Sequence, residues 1–214
     1  MNTIRNPSPL FLKSLKVAVF ALCLLPFALL AAGAFGVAGY DLGANPVEAL
    51  IHSTGKWGLK FLLITLAVTP VRRLSGLNWV IRFRRMLGLF AFFYLVLHFA
   101  SYALIDQRLD LGAILEDIVQ RPFITIGMTA LLLLVPLAAT STKGMMRRLG
   151  KRWQKLHRLI YPIAVLGVWH FYWQVKQDTL EPLIYAGILA VLLASRLFIR
   201  RRRARVPVAV PGHG

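Results

Sequence analysis

A single cysteine, Cys23, stands among 214 residues. One thiol cannot close an internal disulfide or build a multi-cysteine metal site, which leaves zinc–thiolate and iron–sulfur centres without ligands. Acids are also scarce: eight aspartates and glutamates stand against 26 lysines and arginines, for a net charge of +18. No glycine-rich phosphate loop follows an expected strand and no H-E-x-x-H helix is present, which sets aside phosphate-loop and zinc-protease chemistry. No repeat of the length that builds solenoids or transporter halves is visible.

Apolar residues, by contrast, make up 57% of the chain, and the mean hydropathy is +0.64. This composition excludes an ordinary soluble domain. The basic residues alternate with apolar stretches long enough to cross a bilayer of about 30 Å, so they speak for topology and contact with membrane lipids, and no nucleic-acid partner is expected. Six spans are expected, at 15–36, 55–70, 86–105, 122–139, 153–173 and 182–199, which makes an all-α polytopic membrane helix bundle. The flanks are an N-terminus at 1–14 and a basic, disordered tail at 200–214. The second span is the shortest and carries Lys56 and Lys60 near its start, where long side chains can snorkel to the headgroups. LLAAGA in the first resembles a signal-cleavage site, but the apolar run from Leu15 to Ala32 exceeds the about 7–15 residues of a signal, so a retained helix is expected.

Between these spans the charges separate by sign. Of the 26 basic residues, 21 fall on one side, at 5–16, 72–85, 143–158 and 196–205. All eight acids, Asp41, Glu48, Asp106, Asp110, Glu116, Asp117, Asp178 and Glu181, fall on the other, with Lys56, Lys60, Arg108, Arg121 and Lys176. The basic excess places both termini in the cytoplasm, in agreement with an even number of spans.

Three histidines interrupt the apolar runs: His98 in the third expected span, and His157 and His170 in the fifth. Ionisable groups at membrane depth are rare and usually serve transport, proton relay or cofactor binding. Both spans run the same way, and His98 lies 12 residues beyond Met86 while His170 lies 17 beyond Trp153, so both fall in the outer half of the bilayer. Two imidazoles at matching depth on adjacent helices suit bis-histidine axial ligation of a b-type heme. Phe92, Phe93, Phe99, Tyr102, Trp169, Phe171, Tyr172 and Trp173 either pack around such a group or form an interfacial aromatic belt.

His157 precedes His170 by 13 residues, a rise of about 20 Å in an unbroken helix, which puts it near the cytoplasmic face. In a straight helix the two side chains would differ by about 140° in azimuth, and Pro162 between them changes that phase. His157 is therefore a ligand of a second, inner cofactor or an interfacial residue. Counting the same distance back from His98 reaches Arg85 and Arg84, which can pair with anionic groups but cannot replace an imidazole on iron. Arg147 and Arg148 are further candidates for anionic contacts, alongside their role as positive-inside anchors. His52 is expected as an exposed or capping residue before the second span, and His213 as a tail residue.

The segments RFRRMLGL, LHFASYALID, RPFITIG, AATSTKGMMRRLGKRWQKLHRLIYP, WHFYWQVK and EPLIYAG occur in this order. Over 26–197 the chain resembles the MsrQ, or YedZ, family of heme-binding membrane subunits of bacterial periplasmic protein-methionine-sulfoxide reductase systems. The wider group is similar to the ferric reductase and NADPH oxidase transmembrane domain, in which two spans carry paired histidines for stacked hemes. The resemblance implies a bacterial inner-membrane protein with one or two b-type hemes that takes electrons from the quinone pool. It implies delivery to a periplasmic molybdopterin-dependent methionine sulfoxide reductase catalytic subunit, and it brings FMN as a further cofactor. His98, His157 and His170 fall at the family's histidine positions, while the fourth histidine of the oxidases is absent.

Oxidases of the wider group append a cytoplasmic flavin and nicotinamide domain, whereas about 15 residues follow the last expected span here, too few to bury a core. A relay without its own nicotinamide site is expected. The acidic segment 106–117 either helps to dock an electron acceptor or reflects topology alone. Two other classes fit the same composition: a membrane ferric or quinone reductase acting directly on a small substrate, and a cofactor-free transporter or assembly protein.

Overall fold

A computed structural model of the chain describes residues 7–39, 41–175 and 179–204. His213, Arg5, Lys176, Asp178 and Arg205 lie outside the described residues, as does the tail beyond Ala204. Each expected span is helical. The elements are α1 (Pro9–Ala34), α2 (Pro46–Ser75), α3 (Arg84–Ala100), α4 (Leu111–Gln120), α5 (Pro122–Ala139), α6 (Lys143–Leu149), α7 (Lys151–Leu156), α8 (Ile160–Gln174) and α9 (Leu180–Ala204). Among the described residues three stretches are long and apolar enough by themselves to cross a membrane: Pro9–Ala34, Asn78–Asp106 and Pro122–Ala139. The others are weakened for visible reasons: α2 carries Lys56 and Lys60, α8 has only 15 residues, and α9 runs into arginines.

Two boundaries differ from expectation in ways that matter. The second span is not the shortest: α2 has 30 residues, because Asn45 accepts from the Glu48 amide and Pro46 takes the first turn, so His52 lies inside the helix. The fifth span is not one α-helix. α7 ends at Leu156, a tight 3₁₀ turn occupies His157–Leu159, and α8 starts at Ile160. Pro162 therefore sits in the first turn of α8, where its missing N–H is harmless, instead of kinking a continuous helix.

The bundle is organised around α2, which touches α1, α3, α8 and α9, while α5 pairs with α8 and also meets α3. Its centre is apolar and closely packed, with Leu62, Leu66, Tyr94, Ile163 and Ala164 at 0–1% exposure. Lipid supplies no hydrophobic drive between helices, so packing and interhelical hydrogen bonds carry association. Two side chains use such bonds to repair helices interrupted by proline. At Pro26 the Phe27 amide donates to the Tyr94 hydroxyl at 3.0 Å, and that hydroxyl donates to the Cys23 carbonyl at 2.8 Å, so a side chain of α3 is inserted into a turn of α1. Pro70 of α2 leaves the Leu66 carbonyl without its helical donor, and Arg196 Nη2 of α9 donates to it at 2.6 Å.

All described acids lie at one end of the bundle, here the acidic end; the loops at the other make the basic end. At the acidic end α3 widens into a π-helical turn, Ser101–Asp106. Most of the acidic segment 106–117 belongs to α4, which is capped by Asp110 accepting from the Ala113 amide. Its Ile114 is buried, and the Tyr102 hydroxyl donates to Asp117 Oδ2 at 2.8 Å, while Arg121 pairs with the other oxygen of Asp117 at 3.1 Å.

Candidate functional site

The same cradle is built twice near the acidic end. In the first, the Nδ1–H of His98 on α3 donates to the Ile51 carbonyl of α2 at 2.8 Å. In the second, the Nδ1–H of His170 on α8 donates to the Phe123 carbonyl of α5 at 2.7 Å. A carbonyl only accepts, so in the neutral ring Nδ1 carries the proton and Nε2 keeps its lone pair. In both cradles the histidine follows the carbonyl residue by 47 positions. One turn beyond each carbonyl is a glycine that the ring overlies: a β-carbon on Gly55 would fall 3.0 Å from Nδ1 of His98, and one on Gly127 would fall 2.7 Å from Nδ1 of His170.

The two cradles face each other. The rings of His98 and His170 have centres 6.0 Å apart and planes at 74°. Two imidazoles bound from opposite sides to one metal, each at about 2 Å, would have ring centres roughly 6 Å apart. Among the described residues no group of three or more His, Cys, Asp or Glu side chains could hold a metal. A donor set of two matched nitrogens needs a chelate that supplies the remaining ligands, and a tetrapyrrole does so. The residues present thus suit that group in number, tautomer and spacing.

Around the pair the aromatics divide. Phe123 lies 6.1 Å from His170, ring centre to ring centre. Phe93 instead packs on Phe27 of α1, and Trp169, Tyr172 and Trp173 are exposed, as in an interfacial belt. Beyond the histidines a polar layer ties α2 to the ends of α8 and α9. His52 Nε2 meets Gln174 Nε2 at 2.7 Å, and Lys56 pairs with Glu181 at 2.5 Å, its ammonium also 5.8 Å from the Phe171 ring centre. His52 is therefore a partnered helical residue, not a free cap. A recess of about 240 Å³, lined in part by Asn45, Glu48, His52 and Asp106, reaches Ile51, whose carbonyl holds His98.

His157 is not brought to this pair. It stands at the other end of α8, on the 3₁₀ turn, stacked on Trp153 at 3.9 Å, with Nε2 3.1 Å from the Thr140 hydroxyl. Of the arginines singled out by sequence, Arg84 is half-buried at the start of α3, while Arg85, Arg147 and Arg148 are exposed. Residues that sequence reasoning missed include Ile51, Gly55, Phe123 and Gly127, although each cradle shares a Ser or Thr two places before the glycine and a Phe after the histidine.

Residues 54–168, more than half of the chain, match the family described as Ferric reductase like transmembrane component. A protein of Rhodospirillum rubrum called Protein-methionine-sulfoxide reductase heme-binding subunit MsrQ is 60% identical over 192 residues, covering 88% of this chain and 91% of its own. The proteins of that name from Herminiimonas arsenicoxydans and Xanthomonas euvesicatoria are each 53% identical, over 90% and 92% of this chain and 88% and 94% of their own. Likeness of this extent, on a membrane helix bundle with paired histidines, shows that the chain belongs to the MsrQ family within the ferric reductase-like transmembrane proteins.

Proposed function

We propose that the chain is the heme-binding, electron-transferring membrane subunit of a methionine sulfoxide reductase system, with His98 and His170 as the axial ligands of a b-type heme. The observation that carries this reading is the doubled cradle, which presents two imidazoles of one tautomer at 6.0 Å. The bound heme would supply a one-electron ferric/ferrous couple. The chain's own part is to hold and orient: the Ile51 and Phe123 carbonyls fix each ring and raise the donor strength of its free nitrogen. The Lys56–Glu181 and His52–Gln174 contacts close the bundle on the acidic side of the pair.

In this reading the acidic end faces the periplasm, both termini are in the cytoplasm, and the helices make six crossings of the bacterial inner membrane. Electrons come from the quinone pool and leave to a periplasmic molybdopterin-dependent catalytic subunit, for which the acidic end, with its recess beside His52, is the exit. His157 serves a second cofactor at the basic end, heme or FMN. Its described hydrogen bond engages Nε2, which leaves Nδ1 for coordination.

Reduced-minus-oxidised spectra of the purified protein test the assignment. His98→Ala and His170→Ala should each lose the same b-type signal, and His157→Ala should leave it while lowering the total cofactor content. Full wild-type heme in both His98→Ala and His170→Ala would refute the pairing.

A further inference from the structure

Two buried side-chain polar atoms among the described residues lack a hydrogen-bond partner, Thr69 Oγ1 and Arg196 Nε. Folded proteins leave few such groups, and each asks for a physical account, such as strain or a water or ion that would complete it. The two border one turn of α2. Arg196 reaches the Leu66 carbonyl that Pro70 frees, and Thr69 immediately precedes that proline. The guanidinium is pinned on its other side by Tyr161 of α8, where Nη1 donates to the hydroxyl at 2.6 Å and the ring centre lies 5.2 Å from Cζ. Nε–H is thus held in place with nothing among the described residues to receive its proton.

The surroundings are rich in donors and poor in acceptors. Tyr161 oxygen accepts from Arg196, so its own proton is free to be given elsewhere. Arg84, in the first turn of α3, lies within electrostatic reach of both Arg196 and Tyr161. Both ion pairs between described residues, Lys56–Glu181 and Arg121–Asp117, are at the acidic end, so neither arginine has a carboxylate partner there. Two guanidiniums of like charge at the basic end of a membrane bundle call for a negative charge that no described carboxylate supplies.

We propose that Arg196, Thr69, Tyr161 and Arg84 form a binding site for an anionic oxygen group, a carboxylate or a phosphate, at the basic end between α2, α3, α8 and α9. Arg196 Nε–H and the Thr69 and Tyr161 hydroxyls donate to the anion, and Arg84 balances its charge. The group can be brought by the phosphate of a flavin mononucleotide or a phospholipid, or by a carboxylate of a tetrapyrrole. The site stands independently of the His98–His170 pair.

The test compares wild type with Thr69→Val, Arg84→Met and Arg196→Met, and with Lys151→Gln as an exposed basic control from the same end. Each protein, purified in detergent, is assayed for released flavin, heme and co-purified phospholipid. Phosphatidylglycerol in nanodiscs and free flavin mononucleotide are then titrated back. One of the three molecules should bind about tenfold more weakly to Thr69→Val, which loses one charge-assisted hydrogen bond, and to Arg84→Met, which loses the balancing charge, while Lys151→Gln matches wild type. Which molecule is lost identifies the source. Arg196→Met also strips the Leu66 carbonyl of its donor and can fail to fold, whereas Thr69→Val leaves that bond in place. Wild-type contents and affinities for all three molecules in folded Thr69→Val and Arg84→Met would overturn the proposal.

Discussion

The ring of His170 lies against the backbone of Gly127 so closely that a β-carbon there would stand 2.7 Å from its Nδ1. Gly127→Ala should therefore push the ring off the Phe123 carbonyl and weaken heme retention about tenfold, the scale of overpacking a closely fitted site. Gly55→Ala meets its histidine at 3.0 Å and should have a smaller effect in the same direction. Heme-to-protein ratios after gel filtration check the order. Equal, wild-type ratios in both variants would show that the cradles give way without consequence.

Tyr94 is fully buried, and its hydroxyl bridges the Cys23 carbonyl and the Phe27 amide. Tyr94→Phe should destabilise the protein by roughly 1 kcal/mol, the scale of a strong interhelical hydrogen bond in a membrane, and leave the heme spectrum unchanged. Thermal unfolding in a mild detergent measures it. A spectral change without loss of stability would place Tyr94 in the cofactor environment instead of the α1 seam.

Lys56 and Glu181 join α2 to α9 with side chains 37% and 39% exposed. An ion pair this accessible should couple by at most about 1 kcal/mol in a double-mutant cycle of Lys56→Met and Glu181→Gln, and the coupling should shrink in high salt. A salt-independent coupling of several kcal/mol would show that the pair is shielded in the membrane.

His52→Leu removes the contact with Gln174 at the end of α8 without touching either cradle. Heme content should be kept, while amide exchange over residues 171–175 should speed up, because the last turn of α8 loses its tie to α2. Hydrogen exchange read by mass spectrometry decides this. Loss of heme would make His52 part of the site.

What was legible in the sequence was what depends on local pattern. Apolar runs locate the helices, and depth counting along two parallel spans pairs His98 with His170 before any coordinate is known. The cradle glycines were not legible, because their meaning lies in a ring 43 residues on, across a helix interface. Pro162 carries two structural readings, a kink or a helix start, and periodicity does not choose between them; the 3₁₀ turn at His157 does. α4 was hidden by its acids, although Leu111, Ile114, Leu115, Ile118 and Val119 have helical spacing. Arg196 reads as one more positive-inside charge until Pro70, far away in sequence, is seen to free a carbonyl for it.

Each cradle is confined to one helical hairpin, α2 with α3 and α5 with α8, and neither needs the other to form its own hydrogen bond. During synthesis the first ring can be gripped long before the second exists. The two rings come to 6.0 Å only when α8 has been made and the two hairpins close on each other. In the proposed assignment a heme can be clamped only once both hairpins are in place, so cofactor loading would come late and report that the two halves have met.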